Sequence, residues 1–454
     1  MNLSVIILAA GAGTRMRSAK PKVLHEIAGK PLVEHVYERS LDLAAESVHI
    51  VYGYGGERLR ENCHHFNRAI WSEQAQQLGT AHAVQQASTN IAENNIVLVL
   101  YGDVPLIKTQ TLKKLVTTVS DNNIALLTVK LDNPDGYGRI VRKAEKVVAI
   151  VEQKDATHDQ LTINEVNTGI LALRAGYLNT CLKKIDNNNA QGEYYLTDII
   201  ALAVADGHEI VTTEAVNSYE VEGVNDRKQL ARLERIYQGE QAEQIMAAGV
   251  TLADPSRIDV RGKLVIGEDA FIDVNCVFEG TVAIGNNVKI GPGCVIRNST
   301  IEAGCIIKPY SVIDDAKIAS NVEVGPFARL RPGADLKHNS RVGNFVEIKK
   351  SVLGENSKAS HLTYLGDTEV GSNVNIGAGT ITCNYDGANK FKTIIEDGAF
   401  IGSDTQLVAP VRVGKNATIG AGSTITRDTE ADTLTLSRVN QKTVTGWQRP
   451  TKKS

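Results

Sequence analysis

Two sets of residues in this sequence have the types and spacing to do chemistry. The first opens with Leu8-Ala9-Ala10-Gly11, continues through Ala12, Gly13, Thr14 and Arg15 to Met16, and gains Lys22 in the run Lys20-Pro21-Lys22-Val23-Leu24. Val5 to Ala9 reads as a buried strand, and strand, glycine loop, helix is a layout that turns backbone N–H groups toward a phosphate. Arg15 and Lys22 could then neutralise a triphosphate. Out of context the same loop reads equally well as a plain turn, since short motifs match by chance. Met16 stands where a dinucleotide fingerprint wants a small residue, and no Walker motif is present. Asp103 follows the apolar run Ile96–Leu100 through Tyr101-Gly102, where a carboxylate could hold Mg²⁺ together with substrate phosphates or simply cap the next helix.

Weaker signals accompany this set. Gln74, Gln77, Gly79 and Thr80 lie in QAQQLGTAHA, where amides and a backbone turn could read a base edge. The loop Gly136-Tyr137-Gly138-Arg139 lets backbone approach a ligand, and Glu152 and Asn167-Thr168-Gly169 could bond sugar hydroxyls. Each also passes as turn or surface chemistry.

The second set centres on His361, in Ala359-Ser360-His361-Leu362-Thr363-Tyr364. A neutral imidazole can take the proton of an attacking amine at pH 7, although a lone His is more often structural. Glu347 is a candidate to orient the ring.

The elements that must hold these residues differ between the two halves. From Val5 to Leu173, strand-like runs (Ser47–Tyr52, Ile96–Leu100, Ile124–Val129, Val147–Val151, Ile170–Leu173) alternate with helical patterns. This predicts an α/β fold with a mostly parallel sheet and ligands at the strands' carboxyl ends. Lys228–Ala247 carries apolar residues on one helical face and predicts a long connecting helix ended by Gly249. From about Leu264 to Ile425, apolar residues recur every six or five positions, as at Ile301, Ile307, Ile313, Ile318, Val324, Leu330, Leu336, Val342 and Ile348. Neither step fits the helical period of 3.6, and the pattern is that of a hexapeptide parallel β-helix. Its apolar residues point into the bore, and Gly, Asn or Asp takes the corners. Ala359 holds a bore position, which turns His361 outward. The repeat breaks at Thr382–Thr393, and insertions in a solenoid map to loops, frequently on the binding face.

At 454 residues two or three domains are expected. A net charge of −3 gives no case for nucleic-acid binding. No apolar run approaches a membrane span, and the opening MNLSVIILAAG lacks the basic segment of a secretory leader. The six cysteines show no CxxC spacing, which fits a reducing cytoplasm.

The motifs LAAGAGTRM, PKVL, QLGTAHA, YGDVPL, GYGRI, IVEQKDA, NTGI and EVEGVNDR occur in the order seen in sugar-1-phosphate nucleotidyltransferases. With the hexads, the chain resembles, over essentially its whole length, the bacterial family of bifunctional N-acetylglucosamine-1-phosphate uridylyltransferases and glucosamine-1-phosphate N-acetyltransferases. The resemblance implies a Rossmann-like nucleotidyltransferase domain over residues 1–227, a helical linker over 228–248, and a left-handed β-helix acetyltransferase domain over 249–454. It implies that UTP and its product contact Leu8, Ala9, Ala10, Gly11, Arg15, Lys22, Gln74, Gly79, Thr80, Tyr101, Gly102, Asp103, Gly138, Glu152, Asn167 and Asn225. Asp103 and Asn225 would hold Mg²⁺. Glucosamine-1-phosphate would contact Arg331, Lys349, Tyr364, Asn375 and Lys390, and acetyl-CoA would contact Ala378, Asn384, Tyr385, Ser403, Ala421 and Arg438. His361 would be the general base. The family implies a cytoplasmic homotrimer that feeds peptidoglycan and lipopolysaccharide synthesis. One departure is Gln76, where the family motif has Glu. The rival reading is a single-activity nucleotidyltransferase whose β-helix is structural or regulatory.

Overall fold

The computed structural model describes residues 2–189 and 191–452. Lys453, in the basic tail that begins at Gln448, lies outside the described residues. The chain divides into two compact units, at Tyr237 and Gln238.

The first unit is built on a nine-stranded sheet. Seven strands form its path, in the order Glu209–Glu214, Asn123–Lys130, Glu165–Arg174, Ile96–Tyr101, Leu3–Ala9, Ser47–Tyr52 and Ala69–Glu73. Central strands of such a sheet are buried on both faces and therefore read as unbroken apolar runs. Val5, Ile7, Leu98 and Leu100 enter one core. Their neighbours Ile6, Leu8, Val97 and Val99 enter the other, as the two-residue period of a strand requires.

The sheet is mixed. Glu165–Arg174 runs antiparallel to both its neighbours. It is reached through the hairpin Arg139–Lys143 and Lys146–Val151 and the four-residue helix His158–Leu161, too short for a crossover that would return it parallel. It is also longer than the Ile170–Leu173 expected from sequence, and a register shift falls between Asn167 and Leu171. A third cluster packs Met16, Leu32, Val224 and Leu233 together. Met16 is 1% exposed, so the residue that departs from the dinucleotide pattern serves as a core anchor.

The helix Arg227–Ala247 passes through the division between the units. Leu233 packs in the first unit, with Leu230, Ile236 and Tyr237 against it. Ala242 and Ile245 pack in the core of the second. Gly249, at φ +90°, follows the last turn.

The second unit is a parallel β-helix formed by an eleven-stranded and a seventeen-stranded sheet. Ile290, Ile307, Val324, Val342, Ala359, Ile376, Ile401 and Ile419 stack in register down one side of the bore. Each such Ile contributes about 2 kcal/mol relative to an exposed one. One line of corners is taken by Asn287, Asn321, Asn339, Asn356, Asn373 and Asn416, all with φ between +55° and +58°. Asn tolerates this left-handed conformation better than most residues. A second line departs from the expected Gly, Asn or Asp. Tyr310, Phe327 and Phe345 hold φ of +59°, +54° and +57°, and their rings stack at 5.3 and 5.5 Å. Stacking between coils offsets the conformational cost.

Among buried groups, His35 carries a testable pH dependence. Burial holds its imidazole down at about 4, although Nε2 lies 3.0 Å from the Ile27 carbonyl oxygen. The unfolded imidazole titrates near 6.5. Between these values the unfolded chain binds more protons, so stability falls as pH drops through that window and is constant above it. His35→Gln keeps a donor for Ile27. It is expected to remove about 3 kcal/mol from the difference in urea-unfolding free energy between pH 7 and pH 4. Equal pH dependence in both proteins would contradict this.

Candidate active sites

In the first unit, Leu8 pairs with Tyr101 on adjacent parallel strands, so Ala9–Gly11 and Gly102-Asp103 emerge side by side at the carboxyl edge. The Gly102 N–H donates to the Leu8 carbonyl at 2.9 Å. The Val224 N–H donates to the Asp103 carbonyl at 2.8 Å and carries Asn225 into the same place. Four side chains then converge. Lys22 pairs with Asp103 and lies 3.3 Å from Asn225 Oδ1. Arg15 donates to that same Asn225 oxygen at 2.9 Å. Side chains drawn from such separate parts of the chain show a built cationic site rather than a plain turn.

The loop is not followed by a helix. Thr14–Met16 form one 3-10 turn, closed by Arg17 at φ +48°. A single 3-10 turn carries little dipole, so the positive charge beside the loop comes from Arg15 and Lys22. Gly13, at φ +59°, packs directly on the Lys22 stem, so a side chain there would displace the lysine.

Two neighbouring cavities extend from this cluster. One, of about 380 Å³, is lined by Leu8–Gly11, Lys22, Gln74, Gln77, Gly79, Thr80, Tyr101 and Asp103. The other, of about 400 Å³, is lined by Thr80, Tyr101, Gly136, Glu152 and Asn167, with Glu193 shared by both. Gln74 is 4% exposed and donates to the Gly79 carbonyl at 3.1 Å. Gln77 Nε2 donates to the Ala10 carbonyl at 3.0 Å, tying the two loops together. Gln76, the departure from the family motif, is exposed. Asn167 is nearly buried, and its Oδ1 accepts from the Gly169 N–H at 2.9 Å. Gly138 approaches the Glu152 carboxylate, and its carbonyl accepts from the Asn167 N–H at 2.9 Å.

Burial, then Asp155 and Asp198, push the Glu152 carboxyl up. Burial, then Asp103 and Glu152, push the Tyr101 phenol up, so it stays a hydroxyl donor. Asp103 and the amide oxygen of Asn225 both face the Lys22 ammonium. This pair of hard oxygens fits a divalent cation such as Mg²⁺, which takes few protein ligands.

In the second unit, register places Asn344, His361, Ala378, Ser403 and Ala421 on one corner of successive coils. Arg438 hangs from this column, donating to the Ala421 carbonyl at 2.9 Å. His361 is exposed, as its place beside Ala359 predicts. The expected partner Glu347 does not orient it. Glu347 instead accepts from Arg331 at 2.8 Å, with Arg329 at 3.8 Å. His361 Nδ1 donates to Asn344 Oδ1 at 2.6 Å, which leaves Nε2 as the acceptor. Asn344 was missed because its relation to His361 is one of coil register, not of spacing along the chain.

Tyr364 stacks on Glu347 in the next column of the adjoining face. Lys349 and Lys390 lie together. The neighbouring Lys390 ammonium, then Arg331, lower the Lys349 ammonium, as crowded like charges do. Asn384 is 6% exposed and reaches over Gly366 beside the Tyr364 hydroxyl. Tyr385 is exposed, and its hydroxyl donates to the Gly387 carbonyl at 2.5 Å. Asn375 stands apart from the lysine pair, in register with Lys358 and Phe400 on the strand that leads to Ala378.

Residues 5–156 match the MobA-like NTP transferase domain family. Residues 260–334 match the GMPPB C-terminal domain, and residues 392–427 match the bacterial transferase hexapeptide family (six repeats). Among solved structures, a chain described as a candidate glucose-1-phosphate thymidylyltransferase from Bacillus anthracis, in complex with a sucrose, is 17% identical. That match covers 52% of this chain and 94% of that chain, with a TM-score of 0.41. The first unit is a nucleotidyltransferase domain with a Rossmann-like mixed sheet, and the second carries hexapeptide transferase repeats. The chain is a transferase. Among the described residues, no helix is long and apolar enough to cross a membrane.

Gly79 offers a test of how tightly the base-side loop is built. Its φ is +116°, and an added Cβ would meet the backbone of Tyr194 at 2.5 Å. Gly79→Ala is expected to destabilise the first unit by about 1–3 kcal/mol in urea unfolding. An unchanged midpoint would mean that the loop can relax.

Proposed function

We propose that the first unit transfers UMP from UTP to N-acetylglucosamine-1-phosphate, releasing pyrophosphate. The observation that carries this reading is the meeting of Arg15, Lys22, Asp103 and Asn225 at the mouth of paired cavities. One cavity is floored by amides and a glycine turn, suited to a base. The other is lined by Glu152 and Asn167, suited to sugar hydroxyls.

The sugar phosphate oxygen attacks the α-phosphorus in line and pyrophosphate leaves. Such transfer needs positioning and charge neutralisation rather than a protein nucleophile. Lys22, which pairs with Asp103, would meet the triphosphate from the strand side. Arg15 meets the phosphates from the loop side. Asp103 and Asn225 would hold Mg²⁺, which supplies further neutralisation of phosphate charge when bound. Mn²⁺ meets the same oxygen donors.

The second unit, in this reading, acetylates glucosamine-1-phosphate from acetyl-CoA. The sugar amine attacks the thioester carbonyl, forming the C–N bond. His361 Nε2 takes the amine proton, the C–S bond breaks, and the imidazolium returns that proton to the departing CoA sulfur, which leaves as the thiol. Asn344 fixes the tautomer that makes Nε2 the base. Arg331, Lys349 and Lys390 suit the sugar phosphate. Ala378, Ser403 and Ala421 form the small-residue edge along which acetyl-CoA would lie, with Asn384, Tyr385 and Arg438 beside it. His361 lies on an open corner, and a second copy of the chain would wall the groove, in keeping with a homotrimer. Six unpaired thiols suit a reducing cytoplasm.

The rival reading, a nucleotidyltransferase with a purely structural β-helix, draws on the GMPPB C-terminal match. That match ends at residue 334, before Asn344 and His361.

Two variants test the sites separately. Lys22→Ala is expected to cut UTP-dependent pyrophosphate release at least ~100-fold, since it removes charge stabilisation at the phosphates, while leaving acetyl transfer intact. His361→Ala is expected to cut thiol release from acetyl-CoA by about 100-fold or more, with pyrophosphate release from N-acetylglucosamine-1-phosphate intact. A folded wild type that releases no thiol would reduce the β-helix to a scaffold.

A further inference from the structure

Asn384–Lys392 leaves the β-helix and returns to it, and both ends of the excursion meet at Asp367. This residue sits at a corner with φ +49°, its side chain only 12% exposed. Asp367 Oδ2 accepts from Asn384 Nδ2 at 2.6 Å, at the start of the excursion. The Asp367 backbone carbonyl accepts from the Thr393 N–H at 3.2 Å, at its end. Lys350 Nζ lies 3.8 Å from Oδ1.

Within the excursion, the Phe391 N–H donates to the Asn384 carbonyl at 2.8 Å, and Tyr385 bridges to Lys390. Asp386 Oδ1 accepts from the Ala388 and Asn389 N–H groups at 2.8 and 2.6 Å. These bonds make a small hairpin without fixing it to the coils. Among the described residues, the Asp367 contacts do that, together with the exposed Lys392–Glu369 pair.

The hairpin needs fixing because of what it carries. Lys390 lines one cavity with Asp367, whose N–H donates to the Lys349 carbonyl at 3.1 Å, and the like charges of Lys390, Lys349 and Arg331 repel one another. The Asp367 carboxylate is the charge that opposes them at Lys349. A short charge-assisted bond at a mostly buried carboxylate is among the stronger polar contacts, and deleting the acceptor leaves the Asn384 amide buried and unpaired.

We propose that Asp367 is a positioning residue that clamps the Asn384–Lys392 hairpin and so keeps Lys390 beside Lys349 and Arg331 before the sugar phosphate binds. The identity of that anion rests on the acetyl-transfer reading; the clamp does not.

The test uses full-length Asp367→Ala and Asp367→Asn, read by amide hydrogen exchange and by acetyl-transfer kinetics. In Asp367→Ala, exchange at Phe391 and Thr393 is expected to quicken at least ~10-fold, as for a locally opened segment, with Lys358–His361 and Gln406–Val408 unchanged. KM for glucosamine-1-phosphate rises about 10-fold while kcat stays within about 3-fold, the pattern of lost ground-state binding. Asp367→Asn, whose amide oxygen still accepts from Asn384, recovers most of the protection. Unchanged exchange in Asp367→Ala overturns the proposal. So does faster exchange throughout the β-helix in both variants, or an unchanged KM despite a loosened hairpin. Absence of acetyl transfer in the wild type would sink the functional reading, and the exchange measurement would still decide the clamp.

Discussion

Every coil of the β-helix has to return an apolar residue to the same column of the bore. Strands here are two to four residues long through most of the stack, and a slip of one residue would turn Ile or Val outward. Differences in coil length can therefore be absorbed only at the corners. The five-residue steps and the Asn384–Lys392 hairpin are both corner events. The same constraint aligns corner residues from coil to coil, which is how Asn344, His361, Ala378, Ser403 and Ala421 come to form one edge though they are scattered along the chain. Packing inside fixes chemistry outside.

In the first unit the corresponding constraint is electrostatic. Parallel neighbours deliver the glycine loop and Asp103 to one edge, and the turn at Val224 delivers Asn225. Two cations and two oxygen groups are then mutually paired. Such pairing keeps the mostly buried Lys22 and Asp103 charges from being left uncompensated.

Much of this was legible in the sequence, and the reasons for the exceptions are physical. The bore positions from Ile272 to Ile425 could be read because a solenoid repeats one local rule, and they are buried as expected. The outward turn of His361 followed from the same phase. The corners at Tyr310, Phe327 and Phe345 could not be read, because the stacking that supports them is a contact between coils and not a propensity of any one residue. Asn344 and Asp367 escaped for the same reason. The antiparallel Glu165–Arg174 strand reads like its parallel neighbours, since burial on both faces gives each an apolar run. The turn after the glycine loop was expected to begin a helix; Arg17, in the left-handed conformation, ends it after Met16. Asn225 was reached through family resemblance, since nothing in local spacing ties it to Arg15.

The central claim is that one chain holds two chemically independent sites. Its most direct test mixes equal amounts of Lys22→Ala and His361→Ala with glucosamine-1-phosphate, acetyl-CoA, UTP and Mg²⁺. UDP-N-acetylglucosamine is followed by mass spectrometry. Each variant alone should make little product, while the mixture should make it readily, because the acetylated intermediate diffuses from one protein to the other. A mixture as inactive as either variant would contradict two separable sites.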